Sequence, residues 1–161
     1  MISCKKLTID SDRSIVSNLW QLYMHDLSEF RGSILQPNGR YRDDRLLTYL
    51  EYEDHWAYLI RSDDEVAGFA LVRKSNPKTI LMGEFFIMRK FRRLGIGSKV
   101  VASLLSEFPG NWEIPFQNEN PKAALFWRRT ISELGYNAVE TLIPVEGKPD
   151  LPHDVWLRFT S

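Results

Sequence analysis

The chain has a single cysteine, Cys4, in 161 residues. No intrachain disulfide can form, and such usage suits a reducing compartment. It also lacks an excess of either charge, since 21 basic and 21 acidic residues cancel. That excludes a globally basic nucleic-acid binder. No stretch approaches the roughly 18 apolar residues of a membrane span. The opening run Met1-Ile2-Ser3-Cys4-Lys5-Lys6-Leu7 has no apolar core of a secretory leader. A cytoplasmic protein without membrane or nucleic-acid partners is expected. The three histidines, His25, His55 and His153, lie far apart and show no metal-ligand spacing. No metal is expected. Repeats, low-complexity tracts and interdomain linkers are also missing, so residues 1–161 are read as one domain. With 43% hydrophobic residues the chain can bury a sizeable core.

The remaining pattern alternates strands and helices. Ser3 to Ile9 suits a strand, and Asp10-Ser11-Asp12 supplies helix-start chemistry. Ile15, Val16, Leu19, Leu22 and Tyr23 then recur at helical spacing, in a helix expected to reach Asp26. A loop with Gly32, Pro37 and Gly39 follows, and Asp43-Asp44 opens a second helix carrying Leu46, Leu47 and Leu50. His55–Ile60 and Val66–Arg73 form a hairpin around Ser62-Asp63-Asp64-Glu65. Thr79 to Met88 is the next strand, and Trp112 to Phe116 a short later one. Pro115 in that later strand has no N–H for a central ladder, so it marks an edge, a bulge or a strand that parts from its neighbour. A helix covers Ala123 to Leu134, ended by Gly135, and Tyr136–Val145 and Asp154–Phe159 are the final strands. The order is βααβββαβαββ.

The most informative stretch runs from Glu84 to Ser98: Glu-Phe-Phe-Ile-Met-Arg-Lys-Phe-Arg-Arg-Leu-Gly-Ile-Gly-Ser. It reads as a buried strand, a basic turn and the first turn of a helix that continues to Phe108. The first N–H groups of a helix have no partner within it, and the macrodipole adds partial positive charge there. Such an end holds anions. Gly95 and Gly97 carry no Cβ, so a phosphate can approach the main chain. Arg92 and Arg93 can add forked donors, and Ser98 a hydroxyl. Arg89, Lys90 and Lys99 add to the local cationic cluster. Two glycines before a helix would by themselves suit any tight strand-to-helix connection. The run is neither a Rossmann fingerprint, which needs a third glycine, nor a Walker A loop, which needs Gly-Lys-Ser/Thr. The expected ligand is a pyrophosphate.

Arg92-Arg93-Leu94-Gly95-Ile96-Gly97 satisfies the pattern Gln/Arg-x-x-Gly-x-Gly/Ala. With its preceding strand it resembles motif A of the GNAT superfamily of acyl-CoA-dependent N-acyltransferases. Glu84 to Ser98 is most similar to the same segment of diamine and polyamine acetyltransferases. A second segment, Asn120-Pro121-Lys122-Ala123-Ala124-Leu125-Phe126-Trp127 followed by Leu134-Gly135-Tyr136, resembles the family's Asn-x-x-Ala-x-x-Leu-Tyr…Gly-Phe/Tyr. The resemblance covers nearly the whole chain. It implies an α/β fold with a mixed central sheet, helices on both faces, and a splay between strands 4 and 5. It also implies acetyl-CoA as co-substrate. Leu94 to Ser98 with Arg92 and Arg93 would hold the diphosphate. Phe86, Ile87 and Met88 would meet the thioester carbonyl and pantetheine through their backbone. Asn120, Phe126 and Trp127 would border the pantetheine arm. Taken alone, the second segment is an amphipathic helix with an N-terminal cap.

Trp127 departs from the family, which often has a tyrosine there, credited with protonating the departing thiolate. An indole N–H donates a hydrogen bond but is no practical acid. Trp127 either stabilises the thiolate or only packs, and Tyr23, Tyr136 or water could act instead. Acetyl transfer also requires a neutral amine, and alkylamines have a pKa of about 10.4. Glu84 is the candidate general base. Burial beside Phe85 and Phe86 would raise its pKa, while a solvated or ion-paired glutamate at a strand end is the alternative. The acceptor side, by resemblance the first helices, carries Tyr23, His25, Asp26, Glu29, Tyr41, Asp43 and Asp44. Such side chains suit a cationic amine, though each taken singly is more often a solvated surface group. The expected activity is N-acetylation of a small-molecule primary amine in a ternary complex. The alternatives are a protein or peptide acceptor, or a non-catalytic acyl-CoA-binding module. The family frequently dimerises, and the strands with Trp156 and Phe159 could serve a homodimer or the core.

Overall fold

The structure, a computed structural model, describes residues 1–7 and 10–161, without the side chains of residues 10 and 11. Thr8 and Ile9 of the expected first strand, and the expected capping side chains Asp10 and Ser11, lie outside the described residues. Seven strands form one mixed sheet in the order β1-β2-β3-β4-β5-β7-β6. They are β1 Ile2–Lys6, β2 His55–Ser62, β3 Glu65–Asn76, β4 Thr79–Ile87, β5 Asn111–Gln117, β6 Val139–Ile143 and β7 Asp154–Thr160. The helices are α1 Asp10–Arg31, α2 Asp44–Glu51, α3 Ile96–Glu107 and α4 Pro121–Glu133. Both the fold class and the element order match the sequence reading. Contacts divide the chain into two compact units, residues 1–73 with 84–100 and residues 74–83 with 101–161.

The first unit is organised by α1. Val16, Leu19 and Trp20 recur on one face and are buried together with Leu46 and Tyr49 of α2 and Leu59, Phe69, Leu71 and Phe86 of the strands. The helix runs to Arg31, past the expected end at Asp26. No glycine or proline interrupts it before Gly32, which takes φ +58° and donates its N–H to Ser28 at 3.0 Å. The β2–β3 turn uses Asp63 and Asp64, with φ of 48° and 68°. Those paired positive values define the hairpin turn whose twist matches the strands. Gly68 on β3 permits a close approach: a Cβ there would lie 1.9 Å from the Phe86 carbonyl oxygen on β4.

In the second unit β4 and β5 are parallel but pair only through Thr79–Leu81 and Asn111–Glu113. Pro115 lies beyond the last of these pairs, so of the three readings of that proline the parting strand is the one observed. Strand β7 inserts between β5 and β6, antiparallel to both. Helix α4 starts at Pro121, and Asn120 Oδ1 accepts from the Ala123 N–H at 3.2 Å. It ends at Gly135, φ +85°, where the Tyr136 N–H donates to Ile131 at 3.1 Å. That wrap is a glycine-dependent helix stop. It consumes Tyr136, whose ring stacks on Phe159 at 5.4 Å. Strand β6 therefore begins at Val139 rather than Tyr136. Among the described residues no helix is long and apolar enough to cross a membrane.

Candidate active site

Strand β4 leads into a compact turn. Phe91 is 7% exposed and Ile96 3%, so two apolar anchors flank Arg92–Gly95. The Phe91 N–H donates to Met88 at 2.8 Å, and the Arg92 N–H to Arg89 at 3.3 Å. Between the anchors, Arg93, Leu94 and Gly95 are exposed. Arg93 and Gly95 both adopt left-handed backbone, φ 64° and 73°. A left-handed conformation costs a non-glycine residue about 1–2 kcal/mol, which only a well-anchored turn sustains. Helix α3 then starts at Ile96, and the Gly95 carbonyl accepts its first bond, from Lys99 at 3.2 Å. The N–H groups of Ile96, Gly97 and Ser98 consequently have no acceptor within the helix. The space a Cβ would take at Gly95 is open to 4 Å. Open space at Gly95 next to several helix-start donors suits an anion such as a diphosphate.

The cationic cluster is arranged differently from the sequence reading. Arg92 turns back: Nε donates to the Ile87 carbonyl at 2.7 Å, and Nη2 meets Asp26 Oδ2 at 2.5 Å. Its guanidinium also lies 5.7 Å from the Phe86 ring. Arg89 pairs with the other Asp26 oxygen at 2.7 Å, and Lys90 with Glu65. Asp26 of α1 thus braces the turn through Arg92, and among the described residues Arg93 and Lys99 are the exposed cations of the cluster not engaged by a carboxylate, unlike Arg89 and Lys90. The Ser98 hydroxyl donates to the Gly95 carbonyl at 3.1 Å, closing the first helical turn. An anion at this turn would meet the main chain first, with Arg93 and Lys99 beside it.

Asp26 has a measurable consequence. Burial opposes its charge, but hydrogen bonds and attraction from Arg92 and Arg89 outweigh it and hold its carboxyl below the usual value. A depressed folded-state pKa contributes stability that is complete above the unfolded value, about 3.9. That stability is lost as pH falls through the lower folded value. Asp26→Asn should therefore flatten the acid limb of a chemical-denaturation profile between about pH 5 and 2. An unchanged profile would mean that the ion pairs do not tie α1 to the turn.

Further back on β4, Glu84 is 9% exposed. It shares a face with Phe86, toward the α1–α2 core. Tyr23 of α1 donates its hydroxyl to Glu84 Oε2, and Arg45 of α2 meets Oε1 through Nη1 at 3.3 Å. Tyr23 is walled by Trp20 at 5.5 Å, Phe69 at 5.5 Å and Phe86 at 5.8 Å between ring centroids. Burial first, then the Glu84 charge and its hydrogen bond, push the Tyr23 phenol well above its ordinary value. Tyr49 is pushed up to about 12, by burial and then by Glu84. Both phenols remain protonated donors near neutral pH. Glu84 is both buried and ion-paired, combining features of the two sequence readings.

Backbone at the strand end is partly committed. The Met88 N–H donates to Ala67 of β3 at 2.8 Å, and the Ile87 carbonyl accepts from Arg92. Donors alternate sides along a strand, so the Ile87 N–H points away from β3. Of Phe86, Ile87 and Met88, Ile87 is the one suited to meet a carbonyl from that side. The first unit thus brings together Glu84, Phe86, Ile87, Met88 and the turn Arg92–Ser98. Asn120, Phe126 and Trp127 belong to the second unit. There the Asn120 side-chain Oδ1 caps α4, Phe126 is half-buried, and Trp127 is 6% exposed with its ring 4.9 Å from Phe126. Trp127 sits on the buried face of α4 with Ala124 and Ile131. Sequence reasoning missed Arg45 and Tyr49. Neither carries a local motif, and α2 alone brings them to Glu84.

The model of the acetyltransferase (GNAT) family matches residues 17–130. No curated protein matches the sequence. Among solved structures, an acetyltransferase from Thermus thermophilus is similar with a TM-score of 0.71 at 16% identity, over 100% of this chain and 97% of that one. The ribosomal-protein-S18-alanine N-acetyltransferase of Escherichia coli is similar at 0.63 and 14% identity, over 99% and 93%. A GNAT family acetyltransferase from Elizabethkingia anophelis, solved with acetyl-CoA bound, is similar at 0.66 and 13%, over 99% and 98%. At these identities the likeness is one of fold.

Proposed function

Because the chain belongs to the acetyltransferase (GNAT) family, we propose that residues 1–161 form one domain that acetylates the primary amine of a small molecule. Acetyl-CoA supplies the acetyl group as an activated thioester. The observation that carries the reading is the turn Arg93–Ser98, with exposed left-handed Gly95, open space where its Cβ would stand, and main-chain donors of Ile96, Gly97 and Ser98 that have no acceptor within the helix. Those donors suit the diphosphate, with Arg93 and Lys99 adding charge. The Ile87 N–H suits the thioester carbonyl, where such a donor contributes about 3 kcal/mol. Asn120 and Phe126, on the family pattern, take the pantetheine arm. Trp127 keeps a packing role.

Glu84 removes a proton from the acceptor ammonium, leaving a neutral amine to attack the carbonyl carbon. The new C–N bond forms as the C–S bond breaks, and the amine's second proton goes to the thiolate. Tyr23 orients the carboxylate from the side opposite Arg45. No acyl-enzyme is needed, and Cys4, on β1, takes no part.

A melting screen tests the cofactor reading. A ligand at 100 times its Kd stabilises the native state by about 2.7 kcal/mol, or on the order of 5–10 °C here. Acetyl-CoA and CoA should shift the melting temperature, ATP and NAD should not, and an amine panel should release free CoA. Shifts with ATP or NAD alone would refute the acyl-CoA reading. CoA binding with no amine acetylated would leave a binding module instead.

A further inference from the structure

We propose that the acceptor is zwitterionic: a small molecule whose amine stands beside a carboxylate, as in a free α-amino acid, with Arg45 holding the carboxylate. The inference rests on the acetyltransferase reading with Glu84 as base, and it narrows the acceptor class of that site. Glu84, Asp26 and Asp44 are each matched by an arginine. The Glu84 charge is offset by Arg45 at 3.3 Å. Asp26 is engaged by both Arg89 and Arg92, and Asp44 by Arg42 at 2.7 Å. A polyamine ammonium reaching Glu84 would have to displace Arg45 and leave its guanidinium without that partner, which is costly in a partly buried site.

Arg45 is built as a site rather than a stray surface cation. Its guanidinium is held by Glu84 through Nη1, by the Met24 sulfur at 3.6 Å through Nη2, and over the Trp20 ring at 5.4 Å. Yet the side chain is 60% exposed, whereas Glu84 is 10% exposed. The carboxylate lies inside and the guanidinium faces outward, in contact with each other. A fixed, outward guanidinium with spare donors recognises a carboxylate. Because Arg45 and Glu84 are in contact, one small molecule with an ammonium and a carboxylate on the same carbon can reach both. On binding, the acceptor's ammonium takes Glu84 Oε1 and its carboxylate takes Arg45. One ion pair becomes two, and no charge is left alone in the partly buried site.

The test compares kcat/KM, by CoA release, for free amino acids, their carboxamides and methyl esters, and putrescine and spermidine. Binding of the best amino acid to the CoA-loaded protein is measured by equilibrium dialysis. Free acids should exceed their own amides by about 10–100-fold, the worth of a charge-assisted hydrogen bond. Arg45→Met should collapse that ratio, lowering the free-acid rate well beyond any change that loss of the Glu84 partner causes in the amide rate, and should weaken amino-acid binding similarly, with acetyl-CoA affinity unchanged. Arg45→Lys should restore part of the preference, and it serves in place of Arg45→Met if that variant does not fold. Amides or polyamines acetylated as fast as free acids by the natural protein would overturn the inference and leave the acetyltransferase reading standing. CoA binding without acetylation of any amine would overturn both.

Discussion

Gly95→Glu should abolish acetyl-CoA binding while leaving a folded protein. At φ +73° the new residue carries a left-handed strain of about 1–2 kcal/mol. Its Cβ meets nothing within 4 Å, so the chain folds around it. The cost falls on the ligand. The added carboxylate stands where a diphosphate meets the Ile96, Gly97 and Ser98 donors. Two like charges about 4 Å apart repel by about 4 kcal/mol near a protein surface, which is roughly a thousandfold in Kd. Equilibrium dialysis with labelled acetyl-CoA should find no uptake, and the melting shift should vanish. Gly95→Ala separates strain from charge: it should bind within several-fold of the natural protein. Equal affinity in Gly95→Glu would mean that the diphosphate does not lie at this turn.

The second large effect is expected from Glu84→Gln. The amide keeps the size of the side chain and still accepts from Tyr23, but it cannot take a proton. General-base contributions are typically 10²–10⁴-fold, so kcat should fall by about that factor. Acetyl-CoA affinity should hold within about twofold, since Glu84 does not face the phosphate turn. The stability cost should be small, because Arg45 is largely exposed and such pairs contribute about 0–1 kcal/mol. The pH profile adds a signature that a structural defect would not produce. Without the base, the neutral amine comes only from solution, and the residual rate should climb about tenfold per pH unit toward the amine's own pKa near 10. A kcat within about threefold of the natural enzyme would remove Glu84 from the chemistry.

These two variants probe different levels of the sequence-to-function chain. Gly95 was legible from local pattern: a strand, two glycines and a helical period predict unpaired main-chain donors at one place. Glu84 was legible as a carboxylate in an apolar strand. Its partners were not. Arg45 precedes Leu46 and Leu47 in an ordinary amphipathic turn, and nothing in that spacing says which residue of β4 it will meet. The same holds for Asp26, read as an acceptor-side acid and found bracing Arg89 and Arg92. Arg92 carries a second lesson. A basic residue in a phosphate-binding pattern reads as an anion ligand, yet its guanidinium donates to Ile87 and Asp26 instead.

By itself the sequence determined what short-range physics controls. Hydrophobic period set the helices and strands and their order, and Gly135 ended α4. Gly95 and the first turn of α3 leave main-chain donors without an acceptor in the helix. Tertiary structure alone decided what depends on elements distant along the chain. The insertion of β7 between β5 and β6, the early end of the β4–β5 ladder, and the Tyr23–Glu84–Arg45 contact are of that kind. A period of two or 3.6 residues specifies which face of an element is buried. Which other element covers that face follows only from packing all of them at once.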